Sequence, residues 1–257
     1  MTVNINDCDG ASDACNIAIP DDILDEKILV RIHGSMMIVA WIGFASVGII
    51  ISRYFKTTWV KHKVFGSDLW FFLHRVLMII TWCLTIISFA VIFIDLDGWA
   101  NPYPHEIFGI IATVICFVQP IIAMFRPNVS SPKRKYFNIT HIFCGFLTYG
   151  LAIIAMFFAV PLHDSGLPSW INWVMTGFLV FHLLSHVFFT MLNYKSDAIM
   201  LASGAEHSSL YDDPMSTHRK IGLYAYIIIN VLFIVVLVTV VGMGVEFGNG
   251  KSSGDND

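Results

Sequence analysis

The sequence predicts an all-α integral membrane protein, a bundle of six spanning helices. Composition is the first reason. Of 257 residues, 56% are hydrophobic and 13% charged, with a mean hydropathy of +0.70. A soluble domain of this length needs far more charged surface. The second reason is the presence of six apolar runs, each near the roughly 20 residues that cross about 30 Å of hydrocarbon. The third is that no period-two alternation persists long enough for a barrel strand. Seven Trp, eight Tyr and 21 Phe suit lipid-facing helices with interfacial aromatic belts.

Taken in order, the runs are His33–Ser52, Leu69–Ile94, His105–Phe125, Thr140–Val160, Trp170–Leu192 and Ile221–Met243. Each is bounded by charge, Pro or Gly. Residues 1–30 form an acidic tail, 31–243 the transmembrane domain and 244–257 a polar tail. The first 27 residues lack the apolar core of a signal peptide, so the expectation is either that the first span inserts as its own signal or that an upstream region is missing here. The connections are short, except Asn193–Lys220, which reads as a flexible loop.

Basic residues set the expected orientation. Loop one holds Arg53, Lys56, Lys61 and Lys63, loop three Arg126, Lys133, Arg134 and Lys135, and loop five Lys195, Arg219 and Lys220. Loops two and four hold no Lys or Arg and carry Asp95, Asp97 and Asp164. The odd loops are therefore expected in the cytosol, and both termini outside the cell or in a lumen. The sequons at Asn128 and Asn138 then fall in a cytosolic loop and are expected to stay unglycosylated. Cys83, Cys116 and Cys144 lie in apolar runs and read as small fillers. Cys8 and Cys15 are spaced for a small-loop disulfide if the tail faces an oxidising compartment.

The histidines carry the chemistry. His33 and His105 open spans one and three, while His74 and His141 sit near the starts of spans two and four. Successive spans run in opposite directions, so His33 and His105 share the outer end and His74 and His141 the inner end. One imidazole from each of two facing helices is what a bis-histidine haem b requires, and two filled axial positions favour electron transfer over oxygen chemistry. The expectation is a four-helix core binding two haem b, with the four His as axial iron ligands, plus two further helices. Gly109 and Gly145 each follow a His by four residues, on the same helical face, where a missing side chain admits a flat macrocycle or a close helix neighbour. Gly34 and Gly43 in span one read in the same two ways.

His182 and His186 lie one turn apart on span five and cannot clamp opposite sides of one haem. They suit helix-to-helix hydrogen bonding or a metal. A non-haem metalloenzyme seeded by them is one alternative, although such sites need several clustered His. A non-catalytic accessory or receptor protein retaining haem as structure is another. His62, His163, His207 and His218 fall in loops.

Several stretches resemble the cytochrome b561 domain of the ferric-chelate reductase 1 family, also called stromal cell-derived receptor 2 proteins. They are His33-Gly-Ser-Met-Met with Trp41, Leu73-His-Arg, and Pro104-His-Glu-Ile-Phe-Gly. The longest runs from Arg126-Pro-Asn through Lys133-Arg-Lys-Tyr-Phe-Asn-Ile-Thr to His141-Ile-Phe-Cys-Gly145. The resemblance covers about residues 30 to 243. It implies haem pairs His33 with His105 and His74 with His141, and electron transfer from a cytosolic donor such as ascorbate to ferric iron outside, an oxidoreductase activity. Members of the family usually carry reelin-like and DOMON domains before the first span, where only about 30 residues stand here.

An anionic donor would be drawn to Lys63, Arg75, Arg126, Lys133, Arg134 or Lys135, with Arg75 equally placed to pair with a haem propionate. The orientation signal alone also explains these charges. The expected partners are a small-molecule donor, a ferric chelate and the bilayer, with no nucleic acid; a homodimer stays open.

Overall fold

A computed structural model describes residues 28–95, 103–162, 165–207 and 210–243. Both tails with Cys8 and Cys15, and Asp97, His163 and Asp164 in the even loops, lie outside the described residues. Six helices are long and apolar enough to cross a membrane: α1 (Ile28–Tyr54), α2 (Leu69–Asp95), α3 (Pro104–Met124), α4 (Lys133–Ala159), α5 (Ile171–Ser203) and α6 (Ser216–Met243). The chain is a multi-pass membrane protein folded as a helical bundle.

Helix α1 is the centre. Over its most apolar stretch 56% of residues are buried, against 17–28% for the other five, because α2, α4, α5 and α6 all pack on it. Its small residues allow this. A Cβ at Gly34 would press on Val241, one at Gly43 on Ile234 and one at Gly48 on Met78. These glycines are therefore packing positions. Large apolar side chains such as Phe143, Leu184 and Ile228 point outward, as lipid contact requires.

Midway, α1 widens into π-helical turns over Val39–Ala45. The Ser46 N–H bonds the Gly43 carbonyl, and the Ile42 carbonyl is taken by Ser46 Oγ and by Asn230 Nδ2 of α6. A polar side chain on each helix thus satisfies the backbone that the irregularity frees.

The structure differs from the sequence expectation most at α5. The helix continues for three turns past Leu192 and ends where Gly204 takes φ +65°. Its N–H bonds Leu201 O while the Ala205 N–H bonds Met200 O. Hydropathy marks where hydrocarbon ends, not where backbone hydrogen bonding ends, so the polar stretch after Asn193 reads as loop but folds as helix. For the same reason α4 starts at Lys133, and His218 lies in α6 instead of a loop.

The remaining α5–α6 connection is tied down. Arg219, 1% exposed, donates to Asn193 Oδ1 (2.7 Å) and Thr57 Oγ1 (3.3 Å) and pairs with Asp213 (3.6 Å). Asp212 accepts from the Val60 N–H (2.9 Å) and from Lys220 (2.7 Å). This latch joins loop five to loop one. Loop one itself contains a short hairpin, β1 (Lys63–Val64) with β2 (Ser67–Asp68), turning at Phe65 and Gly66 with φ of 49° and 75°.

Candidate functional site: two histidine pairs across four helices

The four histidines meet as two pairs, at opposite ends of the bundle. The rings of His33 (α1) and His105 (α3) stand 6.1 Å apart, centroid to centroid, with an interplanar angle of 80°. His74 (α2) and His141 (α4) stand 6.4 Å apart at 87°. The second pair lies at the end carrying the basic odd loops, here called the basic end.

Three of the four rings are steered by a neighbouring helix. His33 Nδ1 lies 3.0 Å from both the carbonyl and the hydroxyl of Ser88, and the same hydroxyl donates to His33 O. His105 Nδ1 reaches Ala155 O at 2.9 Å and His74 Nδ1 reaches Gly48 O at 3.1 Å. A carbonyl only accepts, so Nδ1 of His105 and of His74 must carry the proton. Nε2 then keeps its lone pair, which is the tautomer that binds a metal.

These braces repeat with a regular offset. Ser88 stands fourteen residues after His74 on α2, and Ala155 fourteen residues after His141 on α4. That is about 21 Å of helix, so α2 and α4 each carry one histidine and brace the one at the other end. Helix α1 does the same, since Gly48 stands fifteen residues after His33. On α3 the pattern lapses. His141 Nδ1 is buried without a partner, and so are both amide atoms of Gln119, fourteen residues after His105.

Space opens beside the pairs. A Cβ added at Gly109, Gly145 or Gly150 would meet nothing within 4 Å, unlike the packing glycines of α1. The two readings left open for glycine in the sequence thus separate by helix: close packing in α1, open space in α3 and α4.

The anion candidates scatter more. The Arg75 and Arg126 guanidinium groups lie over the ring of Phe71, at 4.7 and 4.6 Å. Burial, then Arg134 and Arg75 nearby, lower the pKa of Arg126 from its ordinary value. Its charge, with that of Lys56, acts on His74, and it also acts on His141. Arg134 donates to Pro127 O and, with Lys135, lines an open groove. Lys63 instead pairs with Asp68 (3.6 Å) in the hairpin, and Lys133 and Lys135 are exposed on the first turn of α4. Lys56 escaped the sequence reading as a site residue, as did Gln119 and the bracing carbonyls. A carbonyl carries no residue signature, and Gln119 differs from any helical Gln only by its register.

His182 and His186 lie elsewhere, on α5 where it meets α1 and α6. Their Nε2 atoms are 3.2 Å apart. His182 Nδ1 bonds Tyr226 Oη (2.8 Å) and His186 Nδ1 bonds Tyr54 Oη (2.9 Å). Among the described residues no group of three or more His, Cys, Asp or Glu is placed to hold a metal ion.

Residues 32–162, which span α1 to α4 and all four paired histidines, match the family model for eukaryotic cytochrome b561. A Drosophila melanogaster protein named as a ferric-chelate reductase 1 homolog is 36% identical over 92% of this chain and 40% of its own length. Human ferric-chelate reductase 1 is 36% identical over 65% of the chain and 29% of its own length. A cytochrome b561 and DOMON domain-containing protein of Arabidopsis thaliana is 26% identical over 58% of the chain and 35% of its own length. The chain thus spans well under half the length of these relatives. No solved structure matches it significantly.

Proposed function

The chain belongs to the eukaryotic cytochrome b561 family, and we propose that His33 with His105, and His74 with His141, each hold one haem b through both axial positions. The carrying observation is the two facing ring pairs with free Nε2 atoms. Metal–imidazole bonds of about 2 Å on each side put ring centroids about 6 Å apart, and the pairs stand at 6.1 and 6.4 Å. The open space at Gly109 and Gly145 gives a flat group room at the level of its ligands.

Haem b in both pairs supplies two one-electron centres in series across the bilayer, the basis of a ferric-chelate reductase-like oxidoreductase. The residues of the chain do the rest. Ser88, Gly48 and Ala155 fix ring orientation and keep Nε2 unprotonated. Arg75, Arg126 and Lys56 make the basic end attractive to an anionic donor such as ascorbate. The Lys and Arg of the odd loops put that end in the cytosol, so the acceptor, a ferric chelate, meets the His33–His105 end outside or in a lumen.

A reduced-minus-oxidised spectrum of the purified protein tests this. The expected result is a b-type spectrum with about two haems per chain, reduced by ascorbate. Replacing His33 should leave one haem. Protein without haem overturns the reading, and haem that ascorbate leaves oxidised reduces it to a structural role.

A further inference from the structure

The bundle contains a second histidine system that the haem pairs do not use. Starting at the basic end, the exposed Arg53 donates its Nε–H to Tyr54 Oη (3.1 Å). Tyr54 Oη meets His186 Nδ1, His186 Nε2 meets His182 Nε2, and His182 Nδ1 meets Tyr226 Oη, at 2.9, 3.2 and 2.8 Å. Tyr226 in turn accepts from Asn230 (3.4 Å), which also holds Ser46 (3.1 Å) at the π-helical turns of α1. The chain of contacts leads from water into the bundle and stops there. Tyr54, His182, Tyr226, Asn230 and Ser46 are all at most 4% exposed.

We propose that His182 and His186, strung between Tyr54 and Tyr226, form a site that takes up one proton from the basic end as an electron reaches the neighbouring redox centre. The redox link rests on the haem reading above; the proton site itself rests on hydrogen-bond accounting. With both imidazoles neutral, two ring protons serve four nitrogens. Tyr54 O–H donates to His186 Nδ1, His186 Nε2–H to His182 Nε2, and His182 Nδ1–H to Tyr226. With one proton added, three ring protons serve the same four nitrogens. His186 Nδ1–H now donates to Tyr54, the central N–H···N bond remains, and His182 still donates to Tyr226. The Tyr54 hydroxyl proton is not stranded, because His186 O and Thr190 Oγ1 each lie 3.0 Å away. Both charge states are therefore fully bonded in one backbone arrangement, which an ordinary pair of buried polar groups does not achieve.

The site lies close enough to the His74–His141 pair to sense its charge. Tyr149, whose buried hydroxyl has no partner, sits 5.4 Å from the His182 ring, eight residues along α4 from His141. Eight residues are about 12 Å of helix. On α1, Ser46 stands two residues from Gly48, which braces His74. The titratable and charged groups facing the histidines are Arg53 and Tyr54 on α1, Tyr149 on α4 and Tyr226 on α6. Among the described residues no carboxylate bonds to them. Arg53 opposes a proton here, and one added electron about 12 to 17 Å away, the helical rise to Tyr149 alone or with its 5.4 Å step to the His182 ring, favours it by about five- to tenfold at an effective dielectric near 20. One electron from the donor and one proton from water at the basic end leave the net charge of the region unchanged.

The test is a pH series of redox titrations on the full chain with its haems, resolving the two centres. In the unmutated protein the His74–His141 centre is expected to lose about 40–60 mV between the acid and alkaline limits, the equivalent of a five- to tenfold affinity change. The other centre should show a smaller dependence. His186→Gln and His182→Gln should each flatten the inner curve while both b-type spectra persist. Persistence of the full step in both variants overturns the proposal. If neither variant folds, nitrogen NMR of histidine-labelled protein in its reduced state decides. An imidazolium signal from the pair in the acid limit supports it, and two neutral rings throughout overturn it. A missing b-type spectrum would sink the haem reading, whereas a normal spectrum with a flat inner curve sinks the proton site alone.

Discussion

The α1–α4 half and the α5–α6 half both carry paired histidines, and they use them in opposite ways. In the first half the rings stand 6.1 and 6.4 Å apart, and Nδ1 of His33, His74 and His105 is tied to a neighbouring helix. Each pair has a gap between its rings. In the second half the His182 and His186 rings are 4.7 Å apart, and all four of their nitrogens have partners. A histidine with one nitrogen anchored and the other facing a second ring is prepared for a metal between them. A histidine bonded at both nitrogens is prepared to hold or pass a proton. The residue type is the same; the count of satisfied nitrogens tells the uses apart.

Replacing single histidines breaks the comparison most sharply. His74→Ala or His141→Ala should remove one of two haems, halving the b-type absorbance per chain. His182→Ala should keep both haems. It should lower stability by about 1–3 kcal/mol, because the buried Tyr226 loses one of its two partners and the His186 Nε2 loses its own. Haem loss in His182→Ala would erase the distinction between the halves.

The next largest effect concerns what holds the halves together. Arg219→Met leaves the buried Asp213 with His207 as its remaining partner and Asn193 Oδ1 without its donor, and should cost about 1–3 kcal/mol, read as a lowered midpoint in thermal unfolding while the helix signal before melting is unchanged. Glycine offers a subtler contrast. Gly145→Leu should fill the open space and weaken haem binding in a folded bundle. Gly43→Leu should instead disturb the α1–α6 packing, since a side chain there meets Ile234. Equal loss of haem and of fold in both variants would blur the two roles.

Gln119→Leu should act more weakly, with a spectral or potential change confined to the His74–His141 centre, if the amide rotates to brace His141. The smallest effect is on pH. The hydrogen bond that His207 donates to Asp213, then the charge of that carboxylate, raises the pKa of His207 above 6.5. That contribution to stability is fully present below 6.5 and fades as pH rises through the raised value. Burial works against Asp212, but its bonds from Lys220 and the Val60 N–H outweigh it and hold the carboxyl below 3.8. Its contribution is present above 3.8 and is lost as pH falls through the lowered value. Hydrogen-exchange protection at 204–207 and 210–215, corrected for the intrinsic pH dependence of amide exchange, should thus be greatest between about pH 4 and 6.5. His207 is about half exposed, so solvent screening keeps the change small.

Much of this architecture is legible in the chain itself. The six apolar runs and the positions of His33, His74, His105 and His141 follow from hydropathy and helical direction alone. Where hydropathy is the wrong measure, it misleads. The stretch after Asn193 is polar, yet it extends α5 to Ser203 because the helix leaves the hydrocarbon without ending. His182 and His186 left metal and hydrogen bonding both open, since a one-turn spacing says nothing of what stands across from it.

By itself the sequence determined the number of spans and, through the reversal of direction at each loop, which histidines share an end of the bundle. Hydrophobic transfer and chain direction are local properties and need no packing to act. The tertiary structure decided which ring nitrogens are free. That depends on carbonyls of Gly48, Ser88 and Ala155 and on hydroxyls of Tyr54 and Tyr226, all brought in from other helices. Hydrogen bonds are short and directional, so only the packed bundle can allot them.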